Sequence, residues 1–373
     1  MHRYRTFFAA LLLVFFQIPT SLSGVEIKYA EGFRITEKEG YPVIIVDLGG
    51  KIGGDFDGRR RYILVPRKKY AEFQNEQGFV PIPVPIKSAV SLSSTFLPPF
   101  QWFEQETVIV GIDRYDYLYD SEMRRNLNER GVVEVGNGPN LNIERLRTLE
   151  PELVMANAVE GEWNVVPKIR RAGLRVFLNG DYLEPSPLGR AEWIKCFGLL
   201  LGEEAAAEEL FSEVERRYGA LASRVSDIDR KPEVLFNVPS GGTWVQPGGG
   251  SYMARLLEDA GGSYPWSEND SEKSLLLDIE SVFARARDAE LWLHQYGITS
   301  KEEILQINPV LGRIRAFRRG MVLNNDARTA ANGANDFYEG GTYRPDLILR
   351  DLVSIFHPSQ LPDHKLYYYR PLH

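Results

Sequence analysis

The sequence predicts an α/β protein of two lobes joined by one long helix, with a small β appendage in front. Three observations carry that expectation. From Ser88 onward short apolar runs alternate with helical stretches, the pattern of a mostly parallel sheet covered on both faces. A long helical stretch, Leu188 to Val225, falls midway between two such alternating regions. Residues 24–87 hold short apolar or alternating runs between Gly-rich turns, which is β patterning.

The chain opens with His2-Arg3-Tyr4-Arg5, an unbroken apolar stretch from Phe7 to Phe16, and the small residues Ser21-Leu22-Ser23. A basic start, a short apolar middle and a small-residue cleavage site describe a secretory signal peptide over residues 1–23. The apolar stretch is too short to span a bilayer, and no later run of about 18 apolar residues follows. The mature chain is therefore expected to begin near Gly24 and to be periplasmic. With no Cys after the apolar stretch, a freely diffusing protein without the usual bacterial lipid anchor is expected.

In the appendage, residues 24–87, the expected strands are Val43–Val46, Tyr62–Val65 and Phe79–Ile82, with turns at Gly49-Gly50 and Gly53-Gly54. The N-terminal lobe, residues 88–186, takes strands at Ala89–Leu92, Val108–Val110, Leu153–Ala156 and Arg175–Leu178. Helices opened by Asn142 and by the Trp163 region lie between them. The bridging segment, residues 187–230, should break at Gly202. Beyond the break Ala207, Leu210, Val214, Leu221 and Val225 recur at helical spacing as one apolar stripe. The C-terminal lobe, residues 231–373, resumes with strands Val234–Phe236, Leu291–Leu293 and Met321–Leu323. It closes with an amphipathic helix carrying Ile348, Leu352, Ile355 and Phe356, stopped at Pro358.

Composition narrows the function. At 43% hydrophobic and 25% charged residues the 373-residue chain has ample core, which excludes disorder and coiled coil. A formal charge of −7 argues against nucleic acid as a partner, since phosphate backbones require clustered Lys and Arg. The sole cysteine, Cys196, rules out an internal disulfide, a CxxC redox pair and a Cys-ligated zinc; it lies in an apolar helical run and reads as a core residue. There is no GxSxG, GxGxxG, GxxxxGK[ST] or HExxH motif. Gly248-Gly249-Gly250-Ser251 opens a helix and could cradle an anion, though no Lys follows it. After the leader, His294, His357, His364 and His373 are far apart, so no His-built metal site and no cofactor of the protein's own are expected.

In α/β lobes, ligands gather outside the carboxyl ends of the strands. The loops there carry Arg114 and Tyr115, Trp163, Trp244, and Arg328, with Tyr252, Trp266 and Tyr338 near them in sequence. Aromatic rings with scattered arginines suit a bulky, aryl-bearing anion, because rings supply stacking area and guanidinium pairs with carboxylate or catecholate oxygen. The same residue types also fill ordinary cores.

These segments together resemble the periplasmic substrate-binding proteins of ABC importers for ferric siderophores and cobalamin. The resemblance rests on Ala89-Val90-Ser91-Leu92-Ser93-Ser94-Thr95; on Val135-Gly136 followed by Asn142-Ile143-Glu144-Arg145-Leu146 and Leu149-Glu150-Pro151-Glu152-Leu153-Val154; on Lys231-Pro232-Glu233-Val234-Leu235; on Leu256 to Gly262; and on Ile355-Phe356-His357-Pro358. Pro187 to Lys195 and Gly250 to Ala254 look like a subgroup's own signature. The resemblance implies two Rossmann-like lobes on one rigid helix and a monomeric receptor without enzymatic activity. It implies that a ferric siderophore is captured between the lobes and delivered to a membrane permease with its ATPase. Thr95, Arg114, Tyr115, Trp163, Trp244, Tyr252, Trp266, Arg328 and Tyr338 become the candidate ligand contacts. Glu144 and Glu280, acidic starts of helices in equivalent places of the two lobes, become the candidate permease-docking residues, although the helix dipole alone would also favour them there. Cobalamin and haem are the alternatives within the class; for haem, Tyr115, Tyr252 or His294 could ligate iron. An exported hydrolase with a cleft active site is the alternative outside it.

Overall fold

The computed structural model describes residues 25–48, 59–157, 159, 164–295 and 297–373. The signal-peptide segment, the turn glycines at 49, 50, 53 and 54, and Trp163 lie outside the described residues.

Four strands, β1 (Phe33–Lys38), β2 (Tyr41–Asp47), β3 (Arg59–Pro66) and β4 (Val80–Val84), form the first sheet in that order, with β1 to β3 antiparallel and β4 parallel to β3. Successive side chains of a strand point to opposite faces, and both faces here are covered. Ile44, Val46, Tyr62, Leu64 and Ile82 join the core of the following lobe, while Val43, Ile45, Ile63 and Val65 make a small cluster on the other face. That explains why Val43-Ile44-Ile45-Val46 is apolar throughout instead of alternating.

The first lobe is a five-stranded parallel sheet of β5 (Ala89–Ser91), β6 (Ile109–Ile112), β7 (Val133–Glu134), β8 (Leu153–Asn157) and β9 (Val176–Asn179), in the order β7-β6-β5-β8-β9. The chain starts at the middle strand and winds first one way, then the other, so the loops after β5 and β8 diverge and leave a crevice between them. Helix α1 (Ile143–Thr148) is capped by Asn142, whose side chain accepts the Arg145 N–H at 2.9 Å.

The bridge is three helices, α2 (Pro187–Glu192), α3 (Ile194–Leu201) and α4 (Glu204–Val225). Gly202 ends α3 in the left-handed region, φ 77°, the conformation a helix C-terminus favours and only glycine adopts freely. The buried stripe of α4 is Ala207, Phe211, Val214, Tyr218 and Val225. Leu210 and Leu221 sit half-buried on its flanks, because the lobes meet α4 along the line of Phe211 and Tyr218. Ala207, Phe211 and Val214 belong to the first core, Tyr218 and Val225 to the second, so one rigid helix is built into both.

The second lobe holds β10 (Val234–Phe236), β13 (Leu291–Leu293) and β14 (Val322–Asn324) in parallel, closed by the antiparallel β15 (Arg370–Pro371). A separate ribbon pairs β11 (Thr243–Gln246) with β12 (Leu275–Asp278). Among its helices are α5 (Tyr252–Asp259), α6 (Ile279–Ala286) and α7 (Pro345–Phe356). The glycines before α5 serve close packing: a Cβ on Gly248 or Gly249 would collide with the backbone carbonyls of Ser271 and Asn269. The Gly250 N–H donates to the Ser271 carbonyl at 3.0 Å and the Ser251 N–H to the Gly248 carbonyl at 3.1 Å, so two backbone donors of the expected anion cradle are already used. Cys196 is fully buried in the first core. Among the described residues, no helix is long and apolar enough to cross a membrane.

Candidate functional site

The cleft between the lobes is walled on one side by Thr95 in the loop after β5, Asn157 at the end of β8, and Asp181, Tyr182 and Arg190. The second lobe supplies Tyr252, Met253 and the segment 337–342. Together they enclose a chamber of about 300 Å³. A second, larger and more polar chamber of about 740 Å³ adjoins it, lined from the first lobe by Ser94, Arg114, Asp116 and Tyr117, and from the second by residues between Gly297 and Glu339. Tyr338, 48% exposed, lines both and divides them; its hydroxyl accepts the Asn325 amide N–H at 3.2 Å.

Local structure sets these positions. Ser93 accepts the Thr95 N–H and turns the chain out of β5. Ser251 caps α5, accepting the Ala254 N–H, and so presents Tyr252 from the first turn. Arg190, in α2, lays its guanidinium 3.9 Å from the centre of the Tyr252 ring and donates to the Tyr182 carbonyl at 3.0 Å. A cation over a tyrosine face, shared between bridge and second lobe, is attractive in its own right and forms a flat, charged platform at the cleft. Asp181, 3% exposed, lines the same chamber, and burial pushes its carboxyl up to about 6.

A strap of the second lobe crosses to the first. Asn332 donates to the carbonyls of Asp116 and Leu118, both at 3.1 Å. Glu339 accepts the Tyr119 N–H at 2.7 Å, and burial first, with the nearby Asp336 and Asp120 charges behind it, pushes its carboxyl up to about 8.

The structure brings Thr95, Tyr252 and Tyr338 to the smaller chamber, and Arg114 and Tyr338 to the larger. Arg114 is held by Asp116 at 2.9 Å and lies over Tyr117. Other expected contacts fall elsewhere. Trp244 is fully buried, its indole N–H donating to the Phe236 carbonyl at 2.8 Å and its rings packed on Trp292; pairing of β11 with β12 turns it into the core. Tyr115 donates to the Val132 carbonyl at 2.8 Å and packs against the first core. Trp266 packs on Tyr264, with Arg285 beyond it. Arg328 is ion-paired with Asp336 at 2.6 Å and lies between the Tyr119 and Tyr367 rings, which makes it a contact between lobes. Trp163 lies outside the described residues. Of the three iron-ligand candidates, Tyr252 alone faces the cleft. His294 is buried among Phe236, Phe337 and Tyr369, with Nε2 bonded to the Tyr369 hydroxyl at 2.6 Å, and burial depresses its pKa to about 3.

Asp181, Tyr182, Arg190 and Asn157 also line the smaller chamber, beyond the candidates that the sequence points to. A signal existed: Pro187 to Lys195 and Gly250 to Ala254, the two stretches that stood apart in the sequence, are the ones whose Arg190 and Tyr252 meet. Glu144 and Glu280 are both exposed in the first turns of α1 and α6, and the two helices start alike, with Asn142 accepting the Arg145 N–H and Asp278 accepting the Ser281 N–H.

Residues 100–329 match the family model described as periplasmic binding protein. A Methanocaldococcus jannaschii protein described as an uncharacterized lipoprotein is 24% identical over 372 residues, covering 92% of this chain and 86% of that protein. Among solved structures, the periplasmic heme-binding protein RhuT from Roseiflexus sp. RS-1, in apo form, aligns with a TM-score of 0.57 at 21% identity, over 74% of this chain and 99% of that one. Helicobacter pylori CeuE with Ni(II) bound aligns with a TM-score of 0.59 at 17% identity, over 79% and 91%. At these identities the structural likeness is one of fold.

Proposed function

The chain belongs to the periplasmic binding protein family, and we propose that it captures a ferric chelate, foremost a ferric siderophore, in the cleft between its lobes and hands it to the permease and ATPase of an ABC importer. No bond is made or broken. The observation that carries this reading is the Arg190 guanidinium over the Tyr252 ring, flanked by Tyr182 and Tyr338: a cation among aromatic rings in a cleft suits an anionic chelate with aryl arms. The rigidity of α4, rooted in both cores, favours a largely preformed cleft over wide hinge closure. Glu144 and Glu280, one on each lobe, are proposed to meet basic residues of the permease. The leader-like segment over residues 1–23 supports export to the periplasm, and two of the matched relatives are described as lipoproteins.

The test is quenching of intrinsic fluorescence by ferric catecholates, ferric hydroxamates, haem and cobalamin. At least one ferric siderophore should bind, and Tyr252→Ala should weaken it about tenfold, the cost of losing a central aromatic anchor. Silence across the panel sinks the proposal. Haem is the second reading, favoured by the three tyrosines at the chamber, since phenolate oxygen is a haem-iron ligand. A shifted Soret band on adding haem, lost in Tyr252→Phe, would select it.

A further inference from the structure

Two charged side chains of opposite sign line the 300 Å³ chamber, and among the described residues neither makes an ion pair. Asp181 is 3% exposed, and its Oδ2 has no hydrogen-bond partner. Arg190 uses one terminal nitrogen on the Tyr182 carbonyl and its planar face on Tyr252, and its buried Nε has no partner either. Buried charges are ordinarily paired, because removing an ion from water costs several kcal/mol unless an opposite charge or hydrogen bonds replace the solvent. Helix α2 and the turn after β9 hold these two apart, although each lies within the other's field. An acceptor short of a donor and a donor short of an acceptor, in one chamber of this size, define what is missing from it.

Resting on the binding-protein reading above, we propose that this chamber receives a zwitterionic group of the ligand, of the α-amino-acid kind, whose ammonium meets Asp181 and whose carboxylate meets Arg190. The chelate's bulk then occupies the larger chamber beyond Tyr338, whose exposed ring lines both spaces. Burial keeps the Asp181 carboxyl above its ordinary range, while the Arg190 charge and the Tyr182 backbone N–H pull it down and Glu184 pushes it up; an ammonium in the chamber supplies a partner for the unpaired Oδ2. The Tyr252 ring under the guanidinium limits the space to a small, compact head rather than a long cationic arm.

The probe is the ferric complex of a lysine whose side-chain amine carries a catechol acyl group, leaving the α-ammonium and α-carboxylate free. It is compared by fluorescence titration with the N-acetyl derivative and the methyl ester. The free form should bind roughly tenfold or more tightly than either derivative, in line with charge-assisted hydrogen bonds at a desolvated site. Asp181→Asn should abolish the preference over the acetyl form and keep the preference over the ester; Arg190→Gln should do the reverse. Equal binding of all three forms to the unaltered protein overturns the inference and leaves the receptor reading standing. If no ferric chelate, haem or corrinoid binds, the receptor reading falls and this inference with it.

Discussion

The carboxylate of Glu339 accepts a hydrogen bond from the backbone N–H of Tyr119 at 2.7 Å, and the two residues belong to different lobes. Around this bond Asn332 reaches the Asp116 and Leu118 carbonyls, and Arg328 lies against Tyr119. The strap therefore ties the lobes together across the cleft, in addition to α4 behind it.

Burial of the Glu339 carboxyl, working against that bond, gives the protein a pH signature. A carboxyl held at about 8 when folded, against 4.5 ordinarily, binds more protons in the folded state. Its contribution to stability is complete below pH 4.5 and is lost as pH rises through about 8. Thermal unfolding across that window should show Tm falling by a few degrees, and Glu339→Gln should flatten the fall. Parallel curves for the two proteins would remove Glu339 as its source.

Trp244 is a stability residue. Trp244→Ala should cost about 3–5 kcal/mol, as for other buried aromatic truncations, read from denaturant unfolding. Folded variant should bind chelate with unchanged affinity, in contrast to Tyr252→Ala. A selective loss of binding at full stability would place Trp244 in the site after all.

Glu192 holds the start of the described chain. Wholly buried, it accepts the backbone N–H groups of Lys28, Tyr29 and Ala30 and pairs with Lys195 at 3.3 Å. Glu192→Ala leaves Lys195 with the half-exposed Glu208 as its remaining carboxylate partner, and a loss of about 3–5 kcal/mol is expected for a broken buried pair. Amide exchange at residues 28–30 should accelerate; unchanged protection would show that other contacts hold the segment.

Glu144→Ala with Glu280→Ala should leave chelate binding intact, since both side chains are exposed and outside the chambers. Each loses at most about 0.3–1 kcal/mol of helix-dipole stabilisation. Uptake by whole cells should fall about tenfold, as when rim charges that steer association are removed. Unimpaired uptake would refute docking through these residues.

Local patterning sufficed for most of the framework. The runs at Val43, Tyr62, Val90, Val154, Val176, Val234 and Trp292 are strands, and Asn142 and Gly202 cap helices where they were expected, because period, cap and turn chemistry act within a few residues. Short strands escaped: β7 and β15 have two residues each and exist by virtue of the sheets they join. The separate ribbon β11–β12, four residues in each strand, also escaped, and it reversed the role of Trp244 by turning the indole inward.

The sequence by itself determined the alternation of strands and helices, the single long bridging helix and, through those, the family. Which side chains face the ligand was decided by tertiary structure. A side chain at a loop or helix start can turn to core, solvent or cleft, and the choice depends on what packs against it from elsewhere in the chain. Arg190 and Tyr252 are unremarkable in their own segments; they become a site because α4, rooted in two cores, sets the distance between the lobes that carry them.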